Sequence, residues 1–318
     1  MTALTPARLT LRLHRFEVVA FVLLAALGVI ATIVVSARLD AVGYGAHCIE
    51  AMRIGAVTPL DCEFKINQFY EIVSNEAGIV STLSLIVPFV GALMLGVAVV
   101  GREIERGTTR LAWALSPSRQ RWFLHRFVPV VLVVAGLTFV LGIAADRLLA
   151  STEPGLDPAN AFAQFGFRGV VLAARAVFVL ALAVFVGTVM GRALPALIVG
   201  GIIAAVGIAG GMEVHGRILR SEAVVIEEAQ AQAGDLYIDQ MFRLPDGRLI
   251  GWDEVEMYDP APTDPNFTGQ WPTLPTVHLG VPGSRYREVE LREVGVLAGG
   301  SLVLLLATAA VIQRRRPG

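Results

Sequence analysis

Six apolar stretches, each long enough to cross a bilayer, constrain this chain more than any other feature. A helix spanning about 30 Å of hydrocarbon needs about 20 predominantly apolar residues. Windows 18–36, 77–100, 128–145, 169–190, 194–212 and 294–312 meet that requirement, and Arg175 is the one charge inside them. The expected fold is an all-α polytopic membrane protein with six transmembrane helices, seated in the plasma membrane. Composition agrees: 55% of residues are hydrophobic and 17% charged, where soluble domains carry about 25% charged residues. Disordered, collagenous and disulfide-dense secreted classes are excluded. A net charge of −1 gives no reason to expect nucleic acid. The first window exceeds the 7–15 apolar residues of a signal peptide and ends in Ser36-Ala37-Arg38, a poor cleavage site, so it is expected to be retained.

Orientation follows from the arginines. With the N-terminus inside, segments 1–17, 101–127, 191–193 and 313–318 hold 13 basic residues, while the short outer loops 37–76 and 146–168 hold 5. The positive-inside bias therefore puts both termini in the cytoplasm. Within 1–17, Arg8, Arg12 and Arg15 beside Leu9, Leu11, Leu13 and Phe16 fit an interfacial amphipathic helix over 7–16. Residues 18–212 then carry spans one to five, and 294–318 the sixth span with a basic tail.

Both cysteines, Cys48 and Cys62, fall in the first outer loop. A disulfide persists outside the cell, and closing about 15 residues is worth about 3 kcal/mol in the chain-entropy view. Two free thiols, or a partial metal site with His47, remain alternative readings. His215 and His278 stand apart and form no ligand spacing, so no metal is expected.

Residues 213–293 form the one sizeable segment outside the spans, expected as a small α+β extracytoplasmic insert between the fifth and sixth. The Ala/Glu/Gln content of 222–232 favours helix. Segments 236–244 and 248–258 flank Pro245-Asp246-Gly247, a turn signal that predicts a β-hairpin. Residues 259–284 carry six prolines and are expected to be irregular. Asn266-Phe267-Thr268 matches a glycosylation sequon, read here as coincidental.

The inner loop 101–127 reads GREIERGTTRLAWALSPSRQRWFLHRF. Its halves pattern as amphipathic helix, with Ile104, Leu111, Ala112 and Leu115 on the apolar side. Gly107 weakens the first half, Pro117 breaks the run, and Ser118 suits an N-cap for the helix that follows. Trp113 and Trp122 belong at a headgroup boundary. On this physics alone the loop is an anchor for its neighbouring spans as readily as anything more specific.

The run Gly101-Arg-Glu-Ile-Glu-Arg-Gly-Thr108, then Arg110-Leu-Ala-Trp113 and Arg119-Gln-Arg-Trp122, resembles the cytoplasmic loop of ABC-2-type exporter permeases, most closely their actinobacterial branch. The paired cysteines, Pro88, Gly191-Arg192-Ala-Leu-Pro195, Ser284-Arg285-Tyr286 before Glu293, and Arg314-Arg-Arg-Pro317 follow in the same order. Thr109 and Ala114-Leu115 depart from that branch. The resemblance implies a permease half that pairs with a second half, homodimeric or homologous, and with P-loop ATPase subunits holding ATP and Mg. The chain itself is then no enzyme and binds no cofactor. It also implies that Arg102, Glu103, Glu105, Arg106, Gly107 and Thr108 couple the spans to the ATPase, and that the second and fifth spans border a central route.

Inside the membrane, Arg175 lies about 9 Å past Gly169 at about 1.5 Å per residue. Asp146, Glu213 and Glu293 sit at outer span ends and are candidate partners for it, in an ion pair or a pathway lining. The Gly/Ala-rich fifth span suits close helix approach. Rival functions find little support. No H-E-x-x-H or G-x-S-x-G occurs for a membrane hydrolase. No acid sits at a span centre, and no internal repeat marks a secondary transporter. A sensor with 213–293 as receptor domain is the alternative that remains. No G-x-x-x-x-G-K-[ST] occurs, so ATP must be held by another chain. A lipophilic or amphipathic cargo moving outward through these spans is the expectation, and membrane lipid surrounds them.

Overall fold

A computed structural model describes residues 10–45, 47–48, 60–259 and 273–315. The sequon at 266–268, the first residues of the 7–16 amphipathic stretch and the last three residues of the tail lie outside them. Six helices among the described residues are long and apolar enough to cross a membrane.

The chain divides into two units. The larger, residues 1–155, 164–208 and 290–318, holds the helical bundle. Helix α1 runs Arg15–Val42 and ends where Gly43 adopts φ 68°. Helix α2, Leu60–Glu71, passes through a six-residue π-helical segment, Ile72–Ala77, into α3, Gly78–Glu105. Short α4 is Thr109–Leu115, α5 is Arg119–Thr152 and α6 is Gly169–Met190. Helices α7, Ala193–Ser221, and α9, Tyr286–Arg314, begin in one unit and end in the other.

The bundle is centred on α3 and α6. In lipid there is little hydrophobic gain from pressing apolar helices together, so close backbone approach carries the packing. A Cβ on Gly96 would lie 2.6 Å from Ala183 Cβ and 2.8 Å from the Leu180 carbonyl. One on Gly101 would lie 3.2 Å from the Gly187 carbonyl. Val97, Val99 and Val100 are fully buried along the same seam, as are Leu180, Ala183 and Val184. The small residues of the fifth span behave differently from expectation. On α7, Gly200 and Gly201 approach Leu93, but Gly207, Gly210 and Gly211 face open space.

Two ends of the bundle differ in chemistry. At one, Thr10 Oγ1 donates to the His125 carbonyl, and the ends of α3, α5, α6 and α9 meet through arginines. At the other, Cys48 and Cys62 are joined in a disulfide. The bridge is buried with Val35, Leu39, Tyr44, Phe69 and Leu148, and Tyr44 stacks obliquely on Phe69 at 4.7 Å.

The second unit is residues 156–163 and 209–289. Its four-stranded antiparallel sheet has the order β1-β4-β2-β3, from Val224–Glu227 (β1), Leu236–Arg243 (β2), Leu249–Ile250 (β3) and Thr276–Val281 (β4). Three expectations change here. The acidic 222–232 stretch is strand then a single 3-10 turn, because Val224, Val225 and Ile226 pair with β4 and that pairing overrides local helix preference. The hairpin at Pro245-Asp246-Gly247 forms, with Gly247 at φ 88°. Its second arm pairs for only two residues, Leu249 and Ile250. It then turns into α8, Trp252–Tyr258, whose Trp252 packs edge-on against Phe242 at 4.7 Å. Finally, the proline-rich stretch contains β4, one of the two inner strands, framed by Pro275 and Pro282 at the positions where no ladder bond is needed.

Residues 156–163 are pinned to this sheet. Phe162 N–H donates to the Gly234 carbonyl at 3.0 Å, Asp235 accepts from Gly283 N–H at 2.7 Å, and Phe162 meets Tyr286 edge-on.

Candidate functional site

The arginine-rich end is built where α3 stops. Thr108 N–H donates to the Glu103 carbonyl and Gly107 N–H to that of Ile104, with Gly107 at φ 69°. This paired arrangement closes a helix with a left-handed residue just past its end. Gly107 therefore terminates the second span's helix rather than weakening a separate one. Chain direction changes, and the seven residues of α4 form a distinct element. Ser116 turns extended ahead of Pro117, and Ser118 Oγ accepts from Arg121 N–H at 3.2 Å as the N-cap of α5.

Aromatic and guanidinium groups clamp α4 in place. Trp113 and Trp122 meet edge-to-face at 6.0 Å. Arg119 lies 4.6 Å over Trp113 and Arg126 5.1 Å over Trp122. Arg119 also donates to the carbonyls of Ile312, Gln313 and Arg315 at 3.1, 3.0 and 2.8 Å. It thereby satisfies the open end of α9, which a helix leaves with unpaired carbonyls. Leu111 and Leu115 point away from this clamp and are 68% and 77% exposed.

The six residues implied as coupling residues divide by role. Arg102 pairs with Glu17 and Glu103 with Arg126. Glu105 accepts from Ala193 N–H at 3.0 Å, giving α7 a carboxylate at its N-terminus. Thr108 Oγ1 donates to the Glu103 carbonyl at 3.2 Å. Arg106 is exposed, and its side chain makes no hydrogen bond among the described residues, though its charge acts on the Glu103 carboxylate. Four of the six are thus engaged with the bundle, and the element presented outward is α4. Sequence reasoning missed Glu17, Arg126 and Arg119 as partners here. Pairing across 85, 23 and about 193 positions leaves no spacing signal.

His14, next to α1, is 4% exposed with both ring nitrogens unpartnered. Burial pushes its pKa below the usual value, with Arg126 and Arg102 adding to the effect and Glu17 opposing it.

At the other end, the three acids considered for Arg175 separate. Glu293 takes it: Arg175 Nε donates to Glu293 Oε1 at 2.7 Å, with both side chains almost fully buried. The guanidinium also lies over Phe167 at 5.2 Å, beneath Gly166 at φ 84°, where no side chain would fit. Asp146 instead pairs with Arg168 at 2.7 Å, and Arg168 is 1% exposed. Glu213 pairs with Arg217 one turn along its own helix. Burial also raises the carboxyl of Glu153, against the pull of Arg168. His47, Cys48 and Cys62 cluster within 4.8 Å, but the two sulfurs bond each other, which leaves an imidazole as the trio's one ligand.

The family model described as ABC-2 membrane transporter related matches residues 18–215. That range contains α2, α3, α4, α5 and α6 whole and all but the first three residues of α1. No curated protein and no solved structure matches the chain.

Proposed function

This chain belongs to the ABC-2 membrane transporter related family, a multi-pass membrane protein of the permease type, and on that premise we propose that it is the permease subunit of an ATP-driven exporter. ATP is bound and hydrolysed by a separate P-loop subunit, since these 318 residues contain no phosphate-binding loop. A second permease half, identical or homologous, completes the membrane part. Both termini face the cytoplasm, as the arginine distribution favours.

The observation that carries this reading is α4. It is a short helix with two exposed leucines, fixed by the Trp113–Trp122 and Arg119 clamp to α5 and α9, and joined to α3 through one glycine turn. A partner that moves α4 must move three spans with it, which is how a domain rotation becomes a tilt in the membrane. Coupling then resides in Leu111 and Leu115 with Arg106 at their margin, while Arg102, Glu103 and Glu105 stiffen the lever behind them.

Replacing Leu111 and Leu115 by Ser tests this. Both are exposed, so stability should change by no more than about 0.5 kcal/mol. Association with the ATPase and ATP turnover should fall together. Unchanged turnover in the folded variant would remove α4 from the coupling path.

A further inference from the structure

The geometry points to a binding site for the phosphodiester headgroup of a membrane phospholipid, in a cavity between the segment before α1, the end of α3 and the start of α5. The cavity has a volume of about 260 Å³ and is lined by His14, Arg102, Glu103, Arg106, Thr108 and Arg126 among others. A water occupies about 30 Å³ of liquid, so this space suits a group of several heavy atoms.

Its wall carries one cation in excess. Arg102 is matched by Glu17 and Arg126 by Glu103, which leaves Arg106 near enough to act on the Glu103 carboxylate but in no ion pair of its own among the described residues. A phosphodiester brings one negative charge and accepts charge-assisted hydrogen bonds from guanidinium groups. Two further groups in the wall are buried and unsatisfied. His14 has no partner on either ring nitrogen, and Glu103 has none on Oε2. Buried polar atoms without partners are costly, and a ligand that supplies both an acceptor and a donor answers both. The phosphate supplies the acceptor for His14. A hydroxyl or ammonium substituent on the headgroup supplies the donor for Glu103.

The membrane origin of that headgroup rests on a second cavity. An apolar groove of about 240 Å³ lies between α1 and α3, lined by Phe21, Leu24, Val87, Val90 and Met94. Glu17 borders this groove, and its partner Arg102 borders the first cavity. Headgroup space and acyl-chain space therefore meet at one ion pair. A free phosphate accounts for the first cavity alone.

The site is tested on the purified full chain by native mass spectrometry. Phosphatidylglycerol, phosphatidylethanolamine and phosphatidylcholine are offered in separate preparations. Glycerol and ethanolamine headgroups carry hydrogen-bond donors, and choline carries none. One molecule of either donor-bearing lipid should survive collisional activation, at about tenfold the retention of phosphatidylcholine, the discrimination that about 1.4 kcal/mol gives. Arg106→Gln should lower the retention of all three lipids, since each carries the phosphodiester, while Arg121→Gln, also an exposed arginine, should not. Equal retention of the three lipids, with no thermal shift on adding inorganic phosphate, overturns the proposal. A thermal shift with phosphate but equal lipid retention overturns its lipid half and leaves a free-phosphate site.

Discussion

His14 and the Arg175–Glu293 pair show two ways in which an ionisable residue is buried in this protein. His14 is kept neutral, because burial beside Arg102 and Arg126 outweighs the pull of Glu17. Glu103 and Arg106 complete the charged groups lining the same cavity. A histidine whose pKa is lowered on folding stabilises least at acid pH, since the unfolded chain takes up the proton first. In lipid-free detergent, melting temperature should therefore fall as pH drops through the usual histidine value of 6.5 toward the lowered one. His14→Gln should flatten that slope, read by thermal scans across the window; a slope unchanged in the variant would assign it to other groups. Arg175 is held by its ion pair with Glu293. Breaking a buried pair from one side costs about 3–5 kcal/mol, whereas replacing both partners by apolar residues is often close to neutral. Arg175→Met should thus melt well below the wild type, and adding Glu293→Leu should recover most of the loss. Failure of the second substitution to recover it would mean that Arg175 has a further charged partner that matters as much.

Between elements, the most extensive contact is α3 on α6, through Gly96, Gly101, Ala183 and Gly187. A methyl at Gly96 has no room against Ala183 and Leu180, so Gly96→Ala should destabilise by about 1–3 kcal/mol. Gly207→Ala, in open space on α7, should be neutral or slightly stabilising. The two variants compared by melting in the same detergent decide whether the seam lies where these distances put it. This contrast also marks what was legible in the sequence. The six apolar windows, the Ser118 cap and the Gly247 turn were readable because each rests on local composition or on one residue's stereochemistry. The role of the small residues was not, since a glycine in an apolar helix reads the same whether it meets a neighbour or lipid. The acidic 222–232 stretch failed for a related reason. Its strand exists because β4 lies alongside, more than 45 residues away, and local helix preference is worth only a few tenths of a kcal/mol per residue. Likewise the resemblance over 101–122 carried no information on how the six residues implied for coupling divide between elements. Gly107 separates residues that brace the bundle from the helix that is presented outward.

At the level of the whole molecule, exposed apolar surface runs along helices long and apolar enough to cross a membrane. Large apolar side chains remain exposed along α1, α7 and α9: Leu27 at 62%, Val206 at 66% and Val296 at 70%. Exposed apolar surface on membrane-crossing helices suits contact with acyl chains. Family membership places the chain in a membrane, and the proposed function puts the energy source in a separate P-loop subunit. The account stands or falls on that missing subunit. The direct measurement is purification of the tagged chain from its native membranes in mild detergent, after crosslinking in intact cells, with quantitative mass spectrometry of what accompanies it. The account predicts a P-loop ATPase at one copy per permease, lost from the Leu111→Ser, Leu115→Ser variant. Recovery of the wild-type chain with no ATPase would contradict it.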